Sequence, residues 1–196
     1  MIRLYMSMSL DGFVVGPDDS VEQPMGRGGF RLFNWLDDRD SDGPSGQVYA
    51  EALATGAVIA GRRTYEHAGR WQGDHHDGVP IFVLTHHPDD VPPGHAQYVT
   101  DVAECAALAK AAAGDRDVLV HGAAAGQALL RSGLLDELEL HVVNVLLGNG
   151  RRLFENLPDE YVELDNVRQL PARDVTHLRY RVVNDGREDA AAQSVE

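Results

Sequence analysis

The residues of this chain best suited to hold an anion stand at the ends of short apolar runs. Gly61-Arg62-Arg63-Thr64 follows directly on Ala57-Val58-Ile59-Ala60. A glycine lets backbone approach a phosphate closely, arginine offers a planar fork that matches one, and Thr64 can cap a helix or bond the same group. Two arginines at one strand end suit the extra 2′-phosphate of NADP better than the bare ribose of NAD. A glycine turn with two solvated arginines is the alternative. A second run, Asp117-Val118-Leu119-Val120-His121, passes into Gly122-Ala123-Ala124-Ala125-Gly126. Small residues there allow a pyrophosphate to rest on a helix N-terminus, or simply allow a helix to pack tightly on a sheet.

Other groups offer less. Asp11, in Ser9-Leu10-Asp11-Gly12, has the chemistry to position a substrate or relay a proton, and equally to cap a turn. His75-His76 and His86-His87 lack the i, i+4 spacing of a helical metal site and read as solvated loop histidines, and no metal is expected. Cys105 is the one cysteine, which excludes an internal disulfide and fits a reducing cytoplasm. It reads as a buried small hydrophobe. The run of Asp37, Asp38 and Asp40 reads as solvent-facing.

To position such groups the chain must form strands alternating with helices. Residues 2–8 alternate as a first strand. Residues 57–60, 80–85 and 117–121 are apolar throughout, as in strands covered on both faces, and residues 97–99 make a smaller one. Helices are expected over 47–54, from 63, from Thr100 or Asp101 to Ala113, and from the 122–125 turn through Leu130. Residues 137–143 alternate as an antiparallel or edge strand would, and 161–170 with 175–183 read as a terminal hairpin. The order implies a mostly parallel sheet with an antiparallel edge, and ligands then bind beyond the carboxyl ends of the strands. Residues 1–184 form one domain, with a mobile polar tail at 185–196.

The bulk properties narrow the function. A chain of 196 residues fits one domain, and 43% hydrophobic with 24% charged residues is ordinary for a globular protein. No apolar run of membrane-spanning length is present. A net charge of -14 repels nucleic acid and anionic lipid, so the expected partner is a small molecule, and the expected location is the cytoplasm.

Taken in order, the motifs Met8-Ser9-Leu10-Asp11-Gly12, Val58-Ile59-Ala60-Gly61-Arg62-Arg63-Thr64-Tyr65-Glu66, Phe82-Val83-Leu84-Thr85, Val118-Leu119-Val120-His121-Gly122-Ala123 and Leu146-Leu147-Gly148-Asn149-Gly150-Arg151-Arg152 resemble the dihydrofolate reductase-like superfamily. The resemblance is to the group holding the reductase domain of riboflavin biosynthesis, the RibD C-terminal type. It implies an α/β fold around a mixed, mostly parallel sheet, and an NADPH-dependent reductase of a small heterocycle, similar to 5-amino-6-(5-phosphoribosylamino)uracil reductase. A pterin- or dihydrofolate-type reductase, or a non-catalytic NADP- or flavin-binding protein, are the alternatives. The resemblance implies that Arg62, Arg63 and Thr64 hold the adenosine-side phosphates, that Thr85 and His86 lie along adenine and ribose, and that 122–126 take the pyrophosphate. The Ser9–Gly12 strand end, with Gly148, Asn149 and Gly150, would border nicotinamide and substrate. Trp35, Phe33 and Phe30 read either as walls of the substrate pocket or, at that spacing, as core. Related reductase domains pair through sheet edges, which allows a homodimer. Where relatives often carry Gly-Gly, this chain has Gly122-Ala123, and the zinc-binding deaminase segment often fused to such reductases is not found in these residues.

Overall fold

A computed structural model of the chain describes residues 1–87, 94–155, 157 and 161–183. Eight strands make one sheet, β1 (Ile2–Ser9), β3 (Ala57–Gly61), β4 (Ile81–Leu84), β5 (Gln97–Val99), β6 (Val118–His121), β7 (Glu137–Val143), β9 (Leu164–Pro171) and β10 (Val175–Val182); β2 (Phe13–Val15) and β8 (Arg151–Arg152) pair separately. The order is β5-β4-β3-β6-β1-β7-β10-β9. The six strands from β5 to β7 run parallel, and β10 and β9 close one edge as an antiparallel hairpin.

Helices α3 (Val102–Ala113) and α4 (Ala123–Arg131) cover one face, α1 (Pro44–Leu53) and a 3-10 segment (Gly29–Asp38) the other, and α2 (Arg62–His67) follows β3. Local chemistry sets the ends. The Asp101 carboxylate caps α3 by accepting from Glu104 N at 2.8 Å, and Gly114 stops it. Helix α1 begins at Pro44, three residues before the expected start, because proline at the first helical position sacrifices no hydrogen bond. Residues 185–196, expected as a tail, lie outside the described residues.

The two faces of the sheet differ in chemistry. Ile2, Leu4, Ile59, Val120, Leu138 and Leu140 point to the α3–α4 face, which is apolar and holds the buried Cys105. Burial pushes that thiol up to about 12, as expected for an inert packing cysteine. The opposite face places Arg3, Glu137, Glu139, His141 and His177 in the interior. This bears on the strand read from its alternation as antiparallel or edge. β7 pairs antiparallel with β10, yet it is interior and parallel to β1 on its other side, because its polar residues face a buried polar seam and not water.

Ion pairs hold that seam. Glu139 is fully buried and accepts from Arg179 and, at 3.2 Å, from Arg168; Glu51 of α1 accepts from Arg168 at 2.7 Å and from Arg179 at 2.6 Å. Burial pushes the Glu139 carboxyl up and outweighs the pull of the two guanidiniums. Burial would also raise Glu51, but hydrogen bonds from Arg168, Gln47 and Arg179 hold it at about 2. Breaking a buried pair from one side leaves uncompensated charge, so Glu139→Ala is expected to cost about 3–5 kcal/mol of stability. Urea denaturation checks this; a loss under about 1 kcal/mol would show that the arginines relax to water.

Candidate functional site

The ends of β1, β3 and β6 border a cleft of about 470 Å³. Its apolar wall is Met6, Val14, Val15, Met25, Phe30 and Phe33; its polar rim is Asp19, Arg63, Thr64, Gln127, Arg151 and Arg152. Gly122, Ala123 and Ala124 form its floor at the start of α4. Gly122 has φ +98, and a side chain there would collide with the Thr64 hydroxyl. The β3 and β6 strand ends are therefore in direct contact at the two motifs that the sequence singled out. The Gly122 N–H donates to Met6 Sδ at 3.1 Å, which ties β1 to the same point.

Asp19 organises the rim. Its carboxylate accepts from Arg63 Nε at 2.9 Å and Nη2 at 2.6 Å, and from Arg151 Nε at 3.0 Å. Burial would raise Asp19, but hydrogen bonds from Arg151 and Arg63 hold it below the usual carboxylate range. Two guanidiniums from distant segments thus converge on the cleft. Arg152 stacks over the Phe13 ring at 4.4 Å.

Several expected residues have other positions. Ser9 is fully buried, with its hydroxyl donating to Asp11 and accepting from Phe13 N, so it supports the turn and cannot meet a substrate. Asp11 accepts from Ser9, from Leu147 N at 3.1 Å and from Gly148 N at 2.7 Å. The Ser9 bond and those of Gly148 and Leu147 hold its carboxyl at about 2. Asp11 is an ionised anchor for the 147–148 loop, and the proton-relay role is corrected to a turn role. Gly148 and Asn149 lie on that exposed loop, where Asn149 caps Gly150 N, outside the cleft lining.

On the cofactor side, Arg62 turns to Glu66 at 2.8 Å and the His87 carbonyl at 3.2 Å, away from the cleft. Gly61 is buried at the end of β3, facing Ala125, and Ala125 and Gly126 are buried on the sheet side of α4. A methyl on Gly126 would press on Leu4, so this glycine serves helix–sheet packing, and the pyrophosphate reading contracts to 122–124. Thr85 is buried and accepts from His87 N at 3.2 Å; His86 is exposed, and neither lines the cleft.

Behind Met6 and Phe33 a second cavity of about 240 Å³ opens on the polar face. Trp35, Trp71, Tyr5, Tyr49, His75 and His121 line it. Trp35 is core and wall at once: it is 3% exposed, donates from Nε1 to Ser7 Oγ at 2.9 Å, and shows one face to this cavity. The reading of His75 and His76 as solvated is overturned. His76 is buried, and His75 contacts His76 and His121 at hydrogen-bond distance. The left-handed conformations at Arg70, Trp71, Gln72 and Asp77 fold the loop back onto the sheet, which no local spacing signals. Asp19, Gln127, Arg151 and Arg152 were not singled out as site residues. The arginine pair at 151–152, in so acidic a chain, was the available signal for two of them. Among the described residues no group of three His, Cys, Asp or Glu side chains is arranged to hold a metal.

The parallel sheet with its terminal hairpin and the cleft across its strand ends define a dihydrofolate reductase-like fold. The chain belongs to the RibD C-terminal domain family, which it matches over residues 1–176. It is 28% identical to the uncharacterized protein YwjB of Bacillus subtilis (strain 168) over 167 residues, 80% of this chain and 84% of that protein. A putative riboflavin biosynthesis protein from Shewanella sp. PV-4 superposes with TM-score 0.71 at 20% identity, over 93% of this chain and 99% of the other. Dihydrofolate reductase from Enterococcus faecalis, complexed with NADP(H) and RAB-propyl, superposes with TM-score 0.62 at 15% identity, over 94% of this chain and 97% of the other. A Thermotoga maritima diaminohydroxyphosphoribosylaminopyrimidine deaminase/5-amino-6-(5-phosphoribosylamino)uracil reductase gives TM-score 0.64 at 13% identity, over 93% of this chain and 56% of that longer one.

Proposed function

We propose that this protein binds NADPH in the larger cleft and reduces a small heterocycle, of the pyrimidine or pterin kind, seated against the aromatic residues beside it. The observation that carries this reading is the meeting of Thr64, Arg63 and the Gly122–Ala124 turn in one cleft. The N-terminus of α4 offers unpaired backbone N–H groups to a pyrophosphate. Arg63 and Arg151 supply the local positive charge that an anionic cofactor needs on a protein of net charge -14. A 2′-phosphate would displace Asp19 from one of these guanidiniums. When bound, NADPH supplies the hydride; the residues of this chain orient it, exclude water through Val14, Phe30 and Phe33, and provide fixed dipoles. The small-molecule partner and a cytoplasmic site of action belong to the same proposal.

Fluorescence titration tests it directly: saturable NADPH binding is expected at micromolar concentration, and its absence up to high micromolar rejects the reading. Arg63→Ala is expected to weaken NADPH by roughly tenfold to a hundredfold, the worth of one charge-assisted bond, and NADH much less. Equal losses for both cofactors would remove the 2′-phosphate role.

A further inference from the structure

His76, His75 and His121 form a continuous row of imidazoles. His76 Nδ1 lies 2.6 Å from His75 Nδ1, and His75 Nε2 lies 2.9 Å from His121 Nε2. Like nitrogens meet in both contacts, so each must share a single proton between two rings. The ends of the row face backbone carbonyls. His76 Nε2 is 3.3 Å from the Thr55 carbonyl. At the other end His121 has Nδ1 left, and the ring's hydrogen bond is to the Tyr5 backbone.

Counting protons decides what this row does. Two N···N contacts need one proton each, and two terminal carbonyls need one N–H each, which makes four. Three neutral imidazoles carry three, because each neutral ring has one N–H. A neutral row must therefore leave one end unsatisfied or borrow the Thr55 hydroxyl, which is 3.4 Å from His76 Nε2 and is already donating to the Ala52 carbonyl at 2.7 Å. With one extra proton, every contact is filled. That proton resides on any of the three rings with the others neutral, and it passes between them without any ring turning. The short N···N separations leave no space for a metal between the rings.

The row nears solvent at its middle ring and borders the inner cavity at His75 and His121. Asp74 is exposed beside His75, while His75 and His121 both line the inner cavity that adjoins the cleft at Met6 and Phe33. We propose that the His76–His75–His121 row is a one-proton store that supplies the proton for reduction of a ring C=N bond in the inner cavity. This rests on the reductase reading above. The step balances as follows: the hydride of NADPH goes to the ring carbon, the proton carried by the row goes to the ring nitrogen that displaces one N···N contact, NADP⁺ and the saturated C–N bond are formed, and water beside Asp74 returns a proton to the row through His75. Burial and the neighbouring imidazole hold His75 at about 4, against the opposing pull of Asp74, and hold His121 at about 3, so the row is uncharged at rest at neutral pH, is filled from water one proton at a time, and gives that proton up readily. Tyr5 and Trp71 pack on His121, and Trp71 on His75, and neither ring brings a charge of its own at neutral pH.

Two measurements on the intact protein test the store. In ¹⁵N-histidine-labelled protein, spin–spin couplings across both N···N contacts are expected, with the shared protons far downfield; three rings without such couplings overturn the proposal. With 7,8-dihydrofolate as probe and NADPH bound, His75→Gln is expected to lower kcat by about a hundredfold or more, typical of a lost proton donor, while NADPH affinity stays within about twofold. His76→Gln, whose amide can still donate to the Thr55 carbonyl, is expected to shift the fall of kcat with rising pH without abolishing it. Unchanged kcat and pH profile in His75→Gln, or no reduction by the wild type with NADPH bound, overturns the proposal. Failure of the wild type to bind NADPH at all instead rejects the reductase reading, and the couplings then decide the store separately.

Discussion

Between pH 6.5 and 4 this protein is expected to lose most of its folding stability, well before its carboxylates are protonated. His141 and His177 are fully buried and share one proton between Nδ1 atoms 2.8 Å apart. His177 Nε2 faces Ser45 Oγ at 3.2 Å, whereas His141 Nε2 has no partner among the described residues. Burial, and then the His177 ring, hold His141 well below the ordinary histidine range, and burial holds His177 at about 4. In the unfolded chain these rings accept protons near pH 6.5. A folded pKa below the unfolded one means that stability is fully present above pH 6.5 and is lost as the pH falls toward the folded values. Each such ring removes up to about 1.4 kcal/mol per pH unit. The buried pair together with His75 and His121 therefore removes up to about 5 kcal/mol per unit, against a total of about 5–15 kcal/mol for a domain. Glu51, Asp19 and Asp117 add losses of the same sign at lower pH, and Glu139, whose carboxyl is raised, opposes them. Urea midpoints at pH 7, 6 and 5 read this slope. A flat profile above pH 5 would show that the rings stay solvated. His141→Leu with His177→Leu should roughly halve the slope.

Gly122→Ala carries the second large effect, and it strikes stability and cofactor together. The backbone at Gly122 has φ 98 and ψ 137, a region that only glycine occupies without strain. The added methyl would also meet the Thr64 hydroxyl and Cβ. Strain of about 1–3 kcal/mol and a displaced Thr64 follow, and Tm should fall by about 5–10 °C. Thr64 and the start of α4 are the two surfaces proposed to hold the pyrophosphate, so NADPH affinity should drop at least tenfold in the same variant. Thermal melts and the NADPH titration separate the parts. Unchanged affinity in a destabilised variant would move the pyrophosphate away from this turn, and an unchanged Tm would mean that the turn relaxes freely. Ala123→Gly makes the matched comparison, because Ala123 already has helical geometry and a floor position in the cleft.

How far the architecture could be read in advance depended on the face of the sheet concerned. β3, β4 and β6 are apolar on both faces and announce themselves. Helix α3 is bounded by Asp101 and Gly114, which are local signals. The strand-end position of Gly61–Thr64 and Gly122–Ala124 followed from those elements, and the two segments meet as neighbours across β3 and β6. The buried polar face was not legible. Glu137, Glu139 and His141 alternate with leucines as residues of a half-exposed strand do, and the partners that make their burial tolerable come from distant segments: Arg3 for Glu137, Arg168 and Arg179 for Glu139, and His177 for His141. The same holds for His75 and His76, whose partner His121 is 46 positions away from His75.

The chain by itself determined which stretches become strands and helices and where small residues let backbone segments approach, since those depend on periodicity, capping and steric size within a few residues. Which arginine faces the cleft, which serine is buried, and which histidines share protons were decided by the tertiary structure alone. The physical reason is that a charge or a ring nitrogen acquires its role from the partners around it. Here those partners, Asp19 for Arg63 and Arg151, and His121 for His75, come from segments that only the sheet order brings together.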